Sequence, residues 1–262
     1  MSTSSLISRH RLQSLAVIIA LVGVWEGSCR LFEIPPLILP APQAIVLRFV
    51  GLIESGTIWP HLVATLIAVL SGFGAGVAAG LVFGAMISLM PAVERLVYPY
   101  VVALQTVPKI AIAPLFIIWF GYGVASKIVI TALVCFFPVL VSVMAGFHST
   151  DRDQLDMMKS FGATRWQILV RLRLPSAMVV IFSGLEIAAV MAVIGAVVGE
   201  FVGAQKGLGY LITALNFSLD VPGVFATLIF LSLIGIILHG IVRACSKHFV
   251  FWIRREQSPL VR

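Results

Sequence analysis

Long apolar runs recur along the chain, and short polar stretches separate them. A helix needs about 20 apolar residues to cross the ~30 Å hydrocarbon layer of a membrane. The runs are about this long, and their boundaries fall near 12–29, 60–89, 96–120, 126–147, 176–201 and 224–249. The pattern predicts an all-α, polytopic membrane helical bundle of about six transmembrane helices, with residues 1–262 in a single transmembrane domain.

The second run carries small residues at every fourth position, which places them on one face of a helix. They are Ala64, Ala68, Gly72, Gly76, Gly80, Gly84 and Ser88. In lipid, small residues let two helices approach closely, and van der Waals contact then holds them together. We expect this stripe to be a helix-packing surface.

The third run is irregular because three prolines and one cation interrupt it. They are Pro99, Pro108, Pro114 and Lys109. Broken backbone at membrane depth is tolerated only inside protein or beside a polar cavity, so Gln105, Thr106 and Lys109 are candidates for a translocation path. The alternative, equally open, is that Lys109 reaches to the membrane interface and the prolines only kink a structural helix.

The fifth run contains two carboxylates, Glu186 and Glu200. An ionisable group inside a span marks a candidate functional site, and we add Glu200 to the path candidates. The alternatives are that Glu186 pairs with a nearby arginine and that Glu200 lies among lipid headgroups.

Two connections between runs have their own character. EIPPLILPAPQAI, after the first run, holds four prolines that keep the chain extended before an amphipathic stretch at 45–53. GAQKGLGYLITALNFSLDVPG, after the fifth run, mixes glycines with apolar residues, and we expect a short helix on the membrane face.

The longest polar segment, residues 151–175, reads DRDQLDMMKSFGATRWQILVRLRLP. Acids at its start and Lys159 near Ser160 suit a helix macrodipole, and Gly162 supplies a residue that tolerates positive φ at a helix end. Thr164 and Gln167 have the spacing of a capping box. The pattern predicts two short helices joined at a glycine elbow, with Pro175 in the first turn of the fifth span.

Apolar side chains lie among the charges of this segment. They are Leu155, Met157, Met158, Phe161 and Trp166. Apolar groups rimmed by charge are typical of protein contact sites, so we interpret the segment as a docking element and not as an inert loop. A DNA-reading motif is disfavoured because both ends of the segment are tethered close to the bilayer.

Composition agrees with a membrane protein. Hydrophobic residues make up 60% of the 262 positions and charged residues 11%, against roughly 45–50% and 25% in soluble domains. The net charge of +7 is scattered and forms no basic stripe, which argues against a nucleic-acid partner. Cys29, Cys135 and Cys245 lie in separate apolar segments, without the spacing of a disulfide framework or a metal site.

The distribution of Lys and Arg residues along the chain indicates which segments face the cytoplasm. If the N-terminus is cytoplasmic, thirteen of the 18 Lys and Arg residues fall in cytoplasmic segments and four in outer ones, as the positive-inside rule requires. This places both termini and segment 151–175 in the cytoplasm. The first run follows Arg9 and Arg11 but lacks a cleavage site, so we expect a retained membrane helix and not a signal peptide.

The sequence holds no set of residues for catalysis. It lacks the phosphate-binding loop G-x-x-x-x-G-K-[ST], the metal motif H-E-x-x-H and the nucleophile motif G-x-S-x-G. We therefore expect no catalytic residues, no bound metal and no ATP hydrolysis by this chain, and predict a conduit.

Segment 151–175 resembles the cytoplasmic signature of permeases from ATP-binding-cassette (ABC) importers. In that signature an E-A-A triplet is followed by glycine and then by I-x-L-P. The corresponding residues are Asp156, Met157, Met158, Gly162, Leu172, Leu174 and Pro175. Asp replaces Glu and two Met replace the alanines, while the spacing is intact. The segments VPKIAIAPLFIIWFGYGVASK, CFFPVL and VVGEFVGAQKGLGYLI are similar to the nitrate, sulfonate and taurine branch.

The resemblance implies a type I permease fold with cytoplasmic coupling helices, in the bacterial inner membrane. It implies a second copy of this chain, two ATPase subunits that carry ATP and Mg, and a periplasmic or lipid-anchored binding protein. Those signature residues, with Ala163, would contact the ATPase. The substrate would be a small anionic solute such as a sulfonate, taurine or nitrate, or a vitamin precursor or aromatic acid.

Two other functions remain open from the sequence. One is an ATP-independent channel or secondary transporter that uses Lys109, Glu186 and Glu200, although no inverted repeat is evident. The other is a membrane scaffold, for which the broken third run would have no purpose.

Overall fold

The computed structural model describes residues 3–252, with side chains described at residue 13 and from residue 16 onward. The cationic side chains expected near both chain ends, Arg9 and Arg11 among them, lie outside the described ones. Between residues 3 and 252 the chain forms eleven α-helices and one π-helical turn, and no strand.

The helices follow one another with short connections. They are α1 (Thr3–Leu31), α2 (Pro42–Glu54), α3 (Ile58–Ser88), α4 (Pro91–Thr106), α5 (Ala113–Phe120), α6 (Val124–His148), α7 (Arg152–Ser160), α8 (Arg165–Ile168), α9 (Leu174–Gly203), α10 (Leu208–Phe217) and α11 (Val221–Phe249), with the π-turn at Leu169–Arg173 between α8 and α9.

Four helical stretches are long and apolar enough to cross a membrane: Ile58–Ser88, Val124–His148, Arg165–Gly203 and Val221–Phe249. They coincide with the second, fourth, fifth and sixth predicted spans. The first predicted span lies within α1, and the third is divided between α4 and α5. The all-α prediction is confirmed, and the count of six spans stays a prediction.

The small-residue stripe of α3 packs against α6. Ala68, the four glycines and Ser88 are buried, and Cβ atoms added at Gly80 and Gly84 would lie 2.8 and 2.7 Å from the Cβ atoms of Val139 and Val143. Successive glycines of the α3 stripe lie against successive α6 residues, and both sets are spaced four residues apart in the same direction. The two helices therefore run parallel. The stripe is the packing surface that the sequence predicts.

Helix α9 packs antiparallel on the other side of α6. Its Gly184 lies over Ser142, near the end of α6, and its Gly195 lies over Thr131, near the start. Small residues again allow the close approach, since Ala188, Ala192 and other alanines of α9 are completely buried. Helices α3, α6 and α9 thus form the centre of the bundle.

We call the end of the bundle that carries segment 151–175 the polar end. At the opposite end, α2 lies against α11, where the rings of Phe49 and Phe230 stack with centroids 4.3 Å apart. Arg48 Nε donates to Asp220 Oδ2 at 2.6 Å, and Asp220 Oδ1 accepts from the backbone N–H of Gly223 at 2.9 Å. Asp220 therefore caps α11 and fixes α2 to it. The short helices α2 and α10 occupy the two connections where the sequence predicts them.

A buried group of polar residues, the Glu200 cluster, joins three helices to the loop before α10. It comprises His61, Thr65, Lys127, Glu200 and the backbone of residues 206–209. Glu200 Oε1 accepts from the Thr65 hydroxyl at 2.8 Å and Oε2 from the N–H of Gly209 at 2.7 Å. Thr65 in turn accepts from the N–H of Leu208 at 2.8 Å.

The other two side chains of the cluster, Lys127 and His61, bind the backbone of residues 206 and 207 in this loop. The Lys127 ammonium donates to the carbonyl of Lys206 at 2.7 Å, and the N–H of Gly207 donates to His61 Nδ1 at 3.1 Å. Lys127 and Glu200 are only 5% and 1% exposed. Opposite charges on neighbouring buried side chains offset part of the cost of burying each one. The cluster replaces the water that the free N–H groups at the start of α10 would otherwise need.

Gly80→Ala should destabilise the bundle, because the new methyl group forces α3 away from α6. Overpacking of this kind typically costs about 1–3 kcal/mol, so we expect a lower midpoint for thermal unfolding of the purified chain in detergent. The control is Gly74→Ala on the exposed side of α3, where an added Cβ meets no atom within 4 Å. Equal midpoints for the two variants would contradict the packing role.

Glu200→Gln should loosen the loop before α10. Glutamine keeps one acceptor oxygen but presents an NH₂ group to the second donor, and Lys127 loses its counter-charge. A buried donor left unpaired costs about 1–3 kcal/mol, so amide exchange at 207–209 should accelerate on the order of tenfold. Glu186→Gln on the same helix is the control, since Glu186 accepts no hydrogen bond from a described residue. Unchanged exchange in Glu200→Gln would show that the cluster does not hold the loop.

Candidate functional site

Segment 151–175 begins with α7, which a side chain caps. Asp151 Oδ1 accepts from the N–H groups of Asp153 and Gln154 at 2.7 and 3.3 Å. Asp153 lies in the first turn and Lys159 in the last, the order that the helix macrodipole favours. The sequence predicts this helix, and the structure confirms it.

Gly162 forms the elbow after α7. Its φ is 74°, and the N–H of Ala163 donates back to the carbonyl of Met158 at 3.0 Å. An added Cβ would meet no atom within 4 Å, so the need for glycine comes from the backbone angle alone. This is the conformation that the sequence predicts.

The second half of the segment differs from the prediction of a separate short helix. Thr164 and Gln167 form the predicted capping box, with bonds of 2.8 and 3.3 Å between each backbone N–H and the other side chain. Helix α8, however, runs through the π-turn directly into α9. The wide turn lies just before Pro175, whose ring lacks the N–H that a regular helix uses. The chain therefore changes hydrogen-bond pattern there without breaking.

The predicted contact residues are divided between the surface and the bundle. Asp156 and Met157 are exposed on α7, and Gly162 is exposed at the elbow. Met158, Ala163, Leu172 and Pro175 are half-buried, and Leu174 is 41% exposed. Two further apolar side chains, Phe161 and Trp166, are 84% and 70% exposed. Three apolar side chains of the segment, Met157, Phe161 and Trp166, are therefore exposed at the polar end among the charges of α7 and α8, and we call them its exposed apolar surface.

The predicted break in the third span is present. Helix α4 contains Pro99 and ends at Thr106, and α5 starts at Ala113 with Pro114 in its first turn. Between them the chain makes a turn in which the N–H of Ala111 donates to the carbonyl of Pro108 at 2.8 Å. Exposed aromatic side chains lie on the helices before and after this turn: Tyr98 and Tyr100 on α4, Trp119 and Phe120 on α5, and Tyr122 just after α5.

Lys109 lies in this break and points back toward the end of α4. Its ammonium donates to the carbonyl of Gln105 at 2.7 Å and sits 4.8 Å from the centroid of the Phe137 ring of α6. The helix macrodipole stabilises a cation at a helix C-terminus, and the electrons of an aromatic face attract a cation above the ring. Gln105 and Thr106 are exposed beside it. The structure therefore brings these three path candidates together.

Glu200, the fourth path candidate, has different partners. It is 1% exposed and bonded within the Glu200 cluster to Thr65 of α3 and Gly209 of α10. The interpretation that it lies among headgroups does not fit this burial. Sequence reasoning did not find Thr65 or Lys127, because neither lies near Glu200 in the chain and nothing local marks them. Across residues 3–252 no group of three His, Cys, Asp or Glu side chains could hold a metal ion.

Comparison with known proteins places the chain in a family. Residues 72–250 match the family described as "Binding-protein-dependent transport system inner membrane component". The chain is 38% identical over 249 residues to the formylaminopyrimidine transport permease protein ThiX of Halalkalibacterium halodurans, an alignment of 95% of this chain and 99% of that one.

Other relatives are named for the transport of different substrates. Identity is 35% over 232 residues with the riboflavin transport system permease protein RibX of Chloroflexus aurantiacus, covering 88% and 87% of the two chains. It is 30% over 251 residues with the taurine transport system permease protein TauC of Escherichia coli, covering 94% and 91%.

The fold is similar to a solved transporter. A chain of the inward-facing MetNI methionine ABC transporter aligns with a TM-score of 0.55 and 18% identity, covering 73% of this chain and 94% of that one. At this identity the likeness shows the fold alone. Sequence and fold agree, and the chain belongs to the binding-protein-dependent transport system inner membrane components, as a type I ABC importer permease that spans the membrane several times and is itself non-catalytic.

Proposed function

We propose that two copies of this chain form the membrane path of an ATP-driven importer in the bacterial inner membrane. Two ATPase subunits, which carry the ATP and Mg, bind the polar end from the cytoplasm, and an outer binding protein delivers the substrate. The observation that carries this proposal is the exposed apolar surface of Met157, Phe161 and Trp166 on a segment continuous with α9. Both termini and segment 151–175 are cytoplasmic in this arrangement, which the distribution of cations supports.

The polar end has the geometry of a coupling device. Helix α7 presents Asp156 and Met157 to the outside, and the elbow at Gly162 fixes its angle to α8. Since α8 continues through the π-turn into α9, a displacement of α7 by the ATPase moves α9 without an intervening flexible loop. Helix α9 packs along α6, and α6 packs along α3, so the displacement reaches the centre of the bundle.

The signature residues divide into two roles in this proposal. Asp156, Met157, Met158, Gly162 and Ala163 form or shape the contact with the ATPase. The remaining three, Leu172, Leu174 and Pro175, lie in the helical stretch that transmits the movement to α9.

The break between α4 and α5 is the proposed path. Irregular backbone offers carbonyl groups that a regular helix would hide, and Gln105, Thr106 and Lys109 add side-chain donors. The Glu200 cluster lies apart from these groups and supports the loop before α10, so we assign Glu200 a structural role.

The substrate we favour is a small planar heterocycle of the vitamin-precursor kind. Identity is higher with the formylaminopyrimidine and riboflavin permeases, at 38% and 35%, than with the taurine permease, at 30%. Exposed aromatic side chains of α4 and α5, such as Tyr100 and Trp119, suit stacking with a flat ring. A sulfonate such as taurine is the second candidate, supported by the cation Lys109.

Gly162→Val should uncouple or detach the ATPase, because a β-branched residue is strongly disfavoured at φ 74°. The control is Gly56→Val, since Gly56 has φ 72°, equally open surroundings and a place at the opposite end. The readout is the amount of ATPase subunit that co-purifies from native membranes in mild detergent, together with uptake. We expect both to fall severalfold for Gly162→Val only.

Three outcomes would overturn the proposal. The first is that no ATPase co-purifies with the unaltered chain, which would favour an ATP-independent carrier. The second is that the two glycine variants lose the ATPase equally. The third is that Gly162→Val retains normal uptake.

Lys109→Ala should lower uptake with assembly preserved, because the break loses its only cation. Lys109→Arg keeps the charge and should retain most of the activity. Uptake of labelled formylaminopyrimidine, riboflavin and taurine by cells that express the complete transporter gives both the substrate and the effect. Unchanged kinetics in Lys109→Ala would leave Lys109 with the structural role of capping α4.

A further inference from the structure

A second feature of the polar end lies on the side of segment 151–175 that faces the bundle. It is a cleft of about 600 Å³ between this segment and the turn that joins α3 to α4. Its lining residues are Leu89, Pro91, Leu155, Lys159, Arg165, Trp166, Ile168, Leu169 and Arg173. Trp166 also belongs to the apolar surface proposed to meet the ATPase, but the other eight lining residues do not, so the cleft needs its own explanation.

The cleft is cationic. Three of its lining residues are Lys159, Arg165 and Arg173, and none is a carboxylate. Lys159 is paired with Asp156 at 2.9 Å. Arg165 and Arg173 form no ion pair with any side chain that the structure describes. Among the described side chains neither guanidinium group has a counter-charge, and a guanidinium fork matches the oxygens of a phosphate.

The π-turn brings the two arginines to the same cleft. Arg165 and Arg173 are eight residues apart, which offsets them by about 80° around a regular helix. The wide turn at Leu169–Arg173 reduces that offset, so both side chains and Leu169 line one space. The π-turn before Pro175 thus brings two cations into one cleft in addition to changing the hydrogen-bond pattern of the helix.

The remaining lining is apolar and suits lipid. Leu89, Leu155 and Leu169 form hydrocarbon surface next to the cations, and the Trp166 indole is 70% exposed. Tryptophan is favoured at the level of lipid headgroups, where one part of the ring is wet and the other dry. The cleft lies at the ends of α3, α6 and α9, where the apolar helices give way to the polar segment.

A neighbouring cleft at the same end provides a contrast. It is about 570 Å³ and lies between α9 and α11, with Arg243 and Lys247 among its lining residues. Glu186 lines it as well, so its positive charge is partly neutralised inside the cleft.

We propose that the cleft of Arg165 and Arg173 binds the headgroup of an anionic phospholipid, with its acyl chains along Leu89, Leu155 and Leu169. Basic pockets at the membrane surface attract anionic headgroups, and the apolar floor distinguishes a phospholipid from free phosphate. A bound lipid would fill the space between segment 151–175 and the α3–α4 turn and so support the segment from the membrane side. The proposal requires only that this end of the bundle lie at a membrane surface, so it does not depend on the orientation or on the ATPase.

Tryptophan fluorescence tests the proposal directly. The full chain is prepared with Trp166 as its only tryptophan, by replacing Trp25, Trp59, Trp119 and Trp252 with phenylalanine. It is reconstituted in phosphatidylcholine vesicles that contain brominated phosphatidylglycerol or, at the same fraction, brominated phosphatidylcholine. Brominated chains quench a nearby indole, so the ratio of the two quenching curves gives the preference for the anionic lipid.

We expect brominated phosphatidylglycerol to quench Trp166 more than brominated phosphatidylcholine. Arg165→Gln and Arg173→Gln should each lower this preference roughly fivefold, the contribution of one cation near an anionic membrane. The pair Arg165→Lys and Arg173→Lys keeps the charge and should keep most of the preference, which separates loss of binding from loss of folding. The control pair, Arg243→Gln and Lys247→Gln, should leave it unchanged.

Three results would overturn the proposal. Equal quenching by the two lipids would show that the cleft does not select an anionic lipid. A preference that survives removal of both arginines would place the lipid elsewhere. Loss of the preference on addition of inorganic phosphate would identify a site for free anions.

Discussion

The close contact of α3 with α6 is the constraint on which the rest of the structure depends. In hydrocarbon no hydrophobic force drives two helices together, so the bundle relies on backbone approach and van der Waals contact. The four glycines from Gly72 to Gly84 provide this along more than three turns, where Val139 and Val143 of α6 lie against bare backbone. Helix α9 completes the group with glycines and alanines on the other side of α6.

This central group is connected to both ends of the molecule by different means. At the polar end the connection is covalent and stiff, because α8 runs through the π-turn into α9. At the opposite end it is polar, since Thr65 of α3, Lys127 of α6 and Glu200 of α9 together hold the loop before α10. A change in the angle between the three helices would therefore move both ends of the molecule. A transporter with access from two sides requires such coupled movement.

The local features of the protein could be predicted from the sequence because short-range chemistry specifies them. The capping box of Thr164 and Gln167, the positive φ of Gly162 and the break around Pro108 each depend on a few neighbouring residues. The stripe of α3 is also a local pattern, though its partner helix is not. The continuity of α8 with α9 was missed, since the effect of Pro175 on the preceding turn depends on how α9 is held against α6.

The sequence by itself determined the membrane class, four long apolar helices, the helix and glycine elbow at the start of segment 151–175 and the family resemblance, because composition, periodicity and motif spacing are properties of the sequence alone. Only the tertiary structure decided which polar groups meet. Thr65 and Glu200 are 135 residues apart in the chain, and Lys109 finds Phe137 on another helix. The cationic cleft likewise exists only because the α3–α4 turn lies opposite Arg165 and Arg173. Such contacts follow from the packing of whole helices, which no local pattern of residues encodes.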